Sequence, residues 1–301
     1  MERPLDQTVI HRPVLLDEAV SMLRVSAGGV YMDGTLGLGG HTREILRRSA
    51  PDGRVVAFEW DEMAIEQAII NVGEYRSRLT VVRRNFAEID QGLQDVGRDR
   101  VDGILIDIGL SSLQLDYGER GFSFKADEPL DMRMDRRRKT TAADILASAR
   151  ERELADIFYY YGEEKQSRRI AAAIIEARKK VPLRRAGQLA ELVARAIPAK
   201  YHPPRIHVAT KVFQALRIAV NEELKNLATI LDKAADHLTV GGRICVISFH
   251  SLEDRIVKRK LIENEQFSPV TKKTISPTEA EIRQNPRSRS ARLRVAELLL
   301  S

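Results

Sequence analysis

Over the first hundred residues, short apolar runs alternate with stretches whose apolar positions recur at helical spacing. Residues 29–33 form an apolar run that ends on Asp33 and a glycine turn, and residues 42–49 carry the helical period that follows. The alternation then repeats. A strand is expected at 54–59, with Asp61 placed to cap the next helix; another at 79–82, with a helical stretch from Ala87; and a fourth at 101–107. Strands separated by helices imply parallel βαβ units and hence an open, doubly wound sheet. The nearly unbroken apolar character of these strands agrees, because both faces of such a sheet are covered.

The alternation stops near Gln114. From there to Arg205 no strand signal of comparable strength appears. Residues 116–139 are polar and loop-like, whereas 141–180 and 187–197 read as helical, with Leu189, Leu192, Val193 and Ala196 at helical spacing. A long helix is expected from Val212 through Leu216, Val220, Leu224, Leu227 and Leu231 to Leu238. Gly241-Gly242 is expected to end it, and the sheet resumes at 243–248, with a last strand at 292–300. The predicted fold is therefore α/β: a sheet domain made of residues 1–113 and 216–301, with a helical domain, residues 114–215, inserted after the fourth strand. No internal repeat or low-complexity tract interrupts this pattern.

Composition narrows the picture. The chain has 301 residues, 43% of them hydrophobic, which fits a globular protein and excludes disorder. Its one cysteine, Cys245, lies inside an apolar run and reads as a buried strand residue; neither an intramolecular disulfide nor a cysteine-based zinc site can be built from it, and no metal is expected. The first ten residues lack the apolar core of a signal peptide, and no run approaches the roughly 18 apolar residues of a membrane span, so a cytoplasmic protein is expected. A formal net charge of +6 is compatible with a polyanionic partner or with an ordinary charged surface, and only the location of the charges decides.

Candidate chemistry concentrates at the ends of the first four strands. The turn Asp33-Gly34-Thr35-Leu36-Gly37-Leu38-Gly39-Gly40-His41 joins the first strand to the first helix. Glycines there let backbone pass close to a ligand, and the helix N-terminus beyond offers unpaired N–H groups. Glu59 ends the second strand, 22 residues after Gly37, at the spacing where a carboxylate accepts hydrogen bonds from ribose hydroxyls. A dinucleotide site would require a third glycine at position 42, which is Thr42, so a nicotinamide oxidoreductase is disfavoured. Phe86, after the third strand, suits either stacking on adenine or the core. Asp107 ends the fourth strand beside the same crevice, where an unsolvated carboxylate is costly without a function.

Longer strings carry a resemblance. Asp107-Ile108-Gly109-Leu110-Ser111-Ser112-Leu113-Gln114-Leu115-Asp116, then Glu119-Arg120-Gly121-Phe122-Ser123-Phe124 and Pro129-Leu130-Asp131-Met132-Arg133-Met134-Asp135, resemble the bacterial 16S rRNA cytosine N4-methyltransferase family known as RsmH or MraW. Further matches are His11-Arg12-Pro13-Val14-Leu15-Leu16-Asp17-Glu18, Gln214-Ala215-Leu216-Arg217-Ile218-Ala219-Val220-Asn221-Glu222-Glu223, Ser248-Phe249-His250-Ser251-Leu252-Glu253-Asp254-Arg255 and Asn285-Pro286-Arg287-Ser288-Arg289-Ser290-Ala291, so nearly the whole chain is covered. The resemblance implies a class I, Rossmann-like methyltransferase sheet with an inserted helical domain. It implies an S-adenosylmethionine site lined by Gly39, Gly40, His41, Glu59, Phe86, Asp107 and Gln114, and methyl transfer to N4 of a cytosine in 16S rRNA near the ribosomal P site. The partner would be 16S rRNA or the small ribosomal subunit, with no membrane and no DNA. Many members carry proline where this chain has Leu113 and aspartate where it has Glu59, and the Pro-Pro-aromatic motif of DNA N4-cytosine enzymes is replaced by Ile108-Gly109-Leu110-Ser111.

The reaction asks for a group that holds an amine proton and draws the nitrogen out of conjugation. Asp107 is the first candidate, with Asp131, Asp135 and His250 behind it; a capping role for His250 is the competing reading. A modified base must leave its stack, and Phe122 and Phe124 near the basic run Arg133, Arg136, Arg137, Arg138 and Lys139 offer a stacking surface beside a phosphate-binding edge. The tail adds Arg283, Arg287, Arg289, Arg292 and Arg294 with no acid between 283 and 294. The alternative function, from a different class, is a non-catalytic cofactor-binding ribosome-assembly factor, which would leave RNA unlabelled by the cofactor.

Overall fold

The computed structural model describes residues 13–109, 120–123, 127–204 and 206–299. It divides into two compact units, one comprising Met1–Ser111 and Leu224–Ser301 and the other Ser112–Glu223.

The first unit is built on a seven-stranded sheet. Its strands are β1 (Val30–Asp33), β2 (Arg54–Phe58), β3 (Leu79–Val82), β4 (Val101–Asp107), β5 (Leu238–Ser248), β6 (Phe267–Pro269) and β7 (Arg292–Leu298). Their order is β3-β2-β1-β4-β5-β7-β6; the first five are parallel, and β7 runs antiparallel to both β5 and β6. Helices α1 (Leu16–Met22), α2 (Gly40–Arg48), α3 (Glu62–Val72) and α4 (Ile89–Asp95) accompany the first half. The α/β doubly wound sheet expected from the sequence is thus present.

Side chains alternate between two apolar layers. Met32, Phe58, Ile104, Ile106 and Val246 enter one buried cluster, and Tyr31, Val55, Leu105, Cys245 and Ile247 enter the other. Both faces being covered explains why these strands read as continuous apolar runs. Chain order reverses between β1 and β4, and a crevice at the carboxyl ends of such strands is where an open α/β sheet binds its ligand. Asp33 and Asp107 end those two neighbouring strands.

The second unit holds α5 (Ala142–Ser148), α6 (Glu151–Tyr160), α7 (Ser167–Arg178), α8 (Ala186–Ala196) and α9 (Thr210–Asn221). The expected continuous helical stretch 141–180 is therefore three helices. The expected single helix to Leu238 also breaks: α9 ends at Asn221, Glu222 takes a left-handed φ of 52°, and α10 (Glu223–Lys233) begins anew. No glycine or proline marks the break. Asn221 causes it from a distance: its fully buried amide donates to the Met132 carbonyl at 2.8 Å and accepts from the Met134 amide at 2.8 Å. Leu238, expected as the helix end, is the first residue of β5, which passes through Gly241 at φ 80° rather than starting after it.

Two more helices complete the first unit, α11 (Ser251–Glu263) and α12 (Glu279–Gln284). Among the described residues, no helix is long and apolar enough to cross a membrane, and no group of three or more His, Cys, Asp or Glu side chains is placed to hold a metal ion.

Candidate active site

The turn after β1 is organised by Asp33. Its buried carboxylate accepts from the Thr42 hydroxyl at 2.7 Å and from the Thr35 amide at 3.0 Å. Burial pushes the Asp33 carboxyl up, against the pull of those hydrogen bonds. Thr42, whose presence argues against a dinucleotide fingerprint, is thus a structural partner that ties α2 to the end of β1. Thr35 in turn accepts the Asp107 amide proton at 2.7 Å, which locks β4 to the same turn.

The glycines differ in what they face. At Gly37, φ is 52° and an added Cβ would meet only the Thr35 carbonyl oxygen at 3.7 Å, so this is where a ligand can approach the backbone. At Gly39, φ is 79°, and a Cβ would press on α3, 3.1 Å from Val72 Cγ2 and 3.2 Å from the Ala68 carbonyl oxygen. A Cβ on Gly40 would overlap Pro13 Cγ at 2.1 Å. Packing within the unit therefore calls for glycine at positions 39 and 40, whereas at Gly37 the space beside the backbone is open.

Glu59 holds this turn from the end of β2. Its Oε2 accepts from the Gly37 amide at 3.1 Å, and its Oε1 accepts from Trp60 and Asp61 at 2.9 and 3.0 Å. Of roughly four lone-pair directions on a carboxylate, three are used, leaving Oε2 room for one more donor. Burial raises its pKa to about 7 despite the three amides. Phe86 packs half-buried against the core, its Cβ 3.2 Å from the position a Gly34 Cβ would take. The ring thus serves the core and still keeps part of its surface open.

Asp107 stands apart from the other carboxylates. Its Oδ1 is buried without a hydrogen-bond partner among the described residues. Its Oδ2 lies 3.8 Å from His41 Nδ1, too far for a hydrogen bond. Burial raises its pKa to about 7, the Asp33 and Glu253 carboxylates add to the rise, and the nearby Gly109 amide opposes it. His41 is buried, and desolvation lowers its pKa to about 4. Its Nε2 sits 3.1 Å from the Val14 carbonyl oxygen. A carbonyl only accepts, so Nε2 carries the proton and the bare lone pair of Nδ1 faces Asp107. The histidine therefore cannot neutralise Asp107 by an ion pair.

The remaining proton-acceptor candidates have other partners. His250 caps α11: its Nδ1 accepts from the Glu253 amide at 3.4 Å, and its Nε2 touches Glu253 Oε1 at 2.9 Å without the angle of a hydrogen bond. Asp131 and Asp135 belong to the helical unit. Partial burial pushes both carboxyls up, but the ion pairs with Arg133 at 2.6 Å and Arg137 at 2.9 Å hold them below the ordinary carboxylate value. Gln114, Leu113 and Phe124 lie outside the described residues.

Of the expected RNA-stacking edge at 122–139, the described residues place Phe122 and three of the arginines in internal contacts. Phe122 is buried beneath the Arg120 guanidinium, 5.8 Å from its ring. Arg138 is spent on the Val220 carbonyl and on Glu222, while Arg133 and Arg137 are spent on their aspartates. The tail is similar in the sheet unit. Asp254 of α11 pairs with Arg292 at 3.1 Å and Arg294 at 2.7 Å, supplying the acid that the local sequence lacks. Asp33 and Thr35 lie in the turn that the sequence singled out, but their roles as the carboxylate and hydroxyl that tie β1 to α2 and β4 were not legible there; Glu253, on the helix after β5, was not expected near Asp107.

The chain is similar along its whole length to known proteins. The family model described as the MraW methylase family matches residues 8–299. The protein named ribosomal RNA small subunit methyltransferase H of Desulfotalea psychrophila is 60% identical over 293 residues, 97% of this chain and 99% of that protein. The protein of the same name from Nostoc punctiforme is 50% identical over 303 residues, 100% of this chain and 99% of that one. Among solved structures, an S-adenosylmethionine-dependent O-methyltransferase from Thermotoga maritima superposes with a TM-score of 0.46 at 13% identity, covering 99% of this chain and 69% of that one. A family match from residue 8 to residue 299, on a sheet whose strand-end carboxylates converge at one crevice, leaves one assignment: the chain belongs to the MraW methylase family and is a methyltransferase.

Proposed function

We propose that this enzyme methylates N4 of a cytosine in 16S rRNA, near the ribosomal P site, with the sheet unit binding S-adenosylmethionine and the helical unit selecting the RNA. The observation that carries the reading is the 60% identity, end to end, with a relative named as a small-subunit ribosomal RNA methyltransferase. The residues of the crevice fit the cofactor. Gly37 leaves backbone approachable, Glu59 Oε2 keeps one acceptor direction for a ribose hydroxyl, and Phe86 offers part of a ring to adenine. Gly39, Gly40 and His41 shape the loop, and Gln114 joins them by the family pattern. When bound, the cofactor supplies a methyl group activated by its sulfonium charge.

The protein's share of the chemistry is alignment and proton handling. A cytosine amine is a poor nucleophile because its lone pair is delocalised into the ring. Asp107 supports a general-base role, since one oxygen lacks a partner among the described residues and its pKa near 7 suits proton transfer around neutral pH. His41, held neutral with Nδ1 bare, leaves that carboxylate uncompensated and able to take the amine proton.

The test is to incubate small subunits from cells lacking this gene with methyl-labelled S-adenosylmethionine and the purified enzyme, then map label by mass spectrometry. N4-methylcytosine at one 16S position is expected. Label on another base, on protein, or nowhere would sink the reading.

A further inference from the structure

The exposed aromatic side chains of the described residues all fall in the helical unit: Tyr159 at 55%, Tyr160 at 63% and Tyr201 at 52% exposure. Tyr159 and Tyr160 end α6, with rings 5.2 Å apart and nearly perpendicular, at 85°. The chain then turns over residues 161–166 and enters α7, so the start of α7 lies beside the end of α6. There Lys165, Arg168 and Arg169 are exposed and pair with no acid among the described residues, and the first turn of α7 contains none. Charge is as unevenly placed as the rings. Residues 112–223 hold 22 Lys and Arg against 16 Asp and Glu, so the whole net charge of +6 falls in this unit, while the rest of the chain balances 27 against 27.

Resting on the reading that the substrate is RNA, we infer that the α6–α7 turn is the unit's RNA-holding surface: unpaired bases stack on Tyr159 and Tyr160 while Lys165, Arg168 and Arg169 contact the phosphates. Large apolar rings left in water near cations that make no ion pair among the described residues suit single-stranded nucleic acid. Every base has a face to stack, and every linkage has a negative charge. Among the described residues of 122–139 this pairing does not occur: Phe122 is buried, and Arg133, Arg137 and Arg138 are spent on internal partners. Tyr201, with Lys200 Nζ 5.0 Å from its ring, repeats the combination on a smaller scale.

The experiment measures binding of a fluorescent single-stranded RNA oligonucleotide to the full-length enzyme across a salt series, with cofactor affinity and sedimentation as companion readouts. Tyr159→Ala/Tyr160→Ala should weaken RNA binding about tenfold to a hundredfold at unchanged salt slope. Tyr159→Phe/Tyr160→Phe, which keeps both rings, should bind as wild type. Lys165→Ala/Arg168→Ala/Arg169→Ala should flatten the log–log salt slope by about 2, from roughly 0.7 per single-strand contact. Cofactor affinity and the far-ultraviolet circular dichroism spectrum should stay constant throughout, the first showing that the sheet unit and the second that the helices of the other unit are folded in each variant. An alanine pair that binds RNA like wild type overturns the inference alone. So does one that changes only the oligomeric state, for then the tyrosines meet a second copy of the chain. A wild-type enzyme that binds no oligonucleotide also overturns the inference, whereas the proposed function falls only if small subunits go unlabelled.

Discussion

The sheet unit and the helical unit treat charge in opposite ways. In the sheet unit acids and bases balance, and the electrostatic tension is buried: Asp33, Asp107 and Glu253 crowd the ends of β1, β4 and β5, with one oxygen of Asp107 unpartnered among the described residues. In the helical unit the excess is positive and lies at the surface, while the buried amide of Asn221 is engaged by Met132, Met134 and Arg217. Burial makes a charge expensive and therefore reactive; exposure makes it cheap and therefore suited to reading a large anion. The first arrangement serves proton transfer and the second serves docking.

The comparison breaks first, if it breaks at all, at Asp107. Asp107→Asn should lower methyl transfer by about 10²–10⁴-fold, the usual share of a general base, while leaving RNA binding intact. Single-turnover rates beside oligonucleotide affinities check it. An active asparagine variant would move the proton to another group.

Gly39→Val should cost about 2–5 kcal/mol of stability, combining a left-handed φ with overpacking against Ala68 and Val72. Gly37→Ala should cost less stability and show its main effect in cofactor affinity. Thermal melts paired with calorimetric titrations separate the two; equal behaviour would mean that the turn has no ligand-facing side.

Titration sharpens the comparison further. Asp107 and Glu59 have pKa values near 7 in the folded, cofactor-free protein, above their ordinary carboxylate values. Their contribution to stability is full at about pH 4 and is lost as pH rises through 7, because the native state holds protons that the unfolded chain has released. His41, lowered to about 4, acts oppositely between pH 4 and 6.5. The net expectation is a falling melting temperature from pH 6.5 to 8, flattened in Asp107→Asn and in Glu59→Gln. Cofactor affinity should rise over the same range, since a ribose hydroxyl binds the ionised Glu59. Glu59→Ala should weaken cofactor binding by about 1–3 kcal/mol, with added loss of order in the Gly37 turn that Glu59 holds. Affinity independent of pH would show that Glu59 is not a ribose ligand.

The smallest effect is expected from Arg136→Ala/Arg137→Ala/Arg138→Ala. Among the described residues Arg136 makes no ion pair, whereas Arg137 and Arg138 are spent on Asp135, Glu222 and the Val220 carbonyl. The RNA salt slope should fall by at most about 0.7, and the melting temperature should drop slightly. A change as large as that of the α7 cations would return the RNA surface to the 133–139 run.

Local periodicity by itself determined the parallel sheet and the strand-end placement of Glu59 and Asp107, while the stretch expected as an insertion, 114–215, falls inside a compact unit that runs on to Glu223. Strand runs and βα turns are written in neighbouring residues, so they survive being read one window at a time. What the windows could not carry was decided in three dimensions. The break at Glu222 depends on Asn221 reaching Met132 and Met134, which are 89 and 87 residues away. The role of Thr42 depends on Asp33, the neutrality of His41 on its burial, and its tautomer on the Val14 carbonyl. Whether an arginine is free to meet a phosphate depends on an acid elsewhere in the chain, as Asp254 shows for Arg292 and Arg294. Burial and pairing are properties of a packed volume, so the types of the functional residues were legible in the chain, while their protonation and availability came only from the fold.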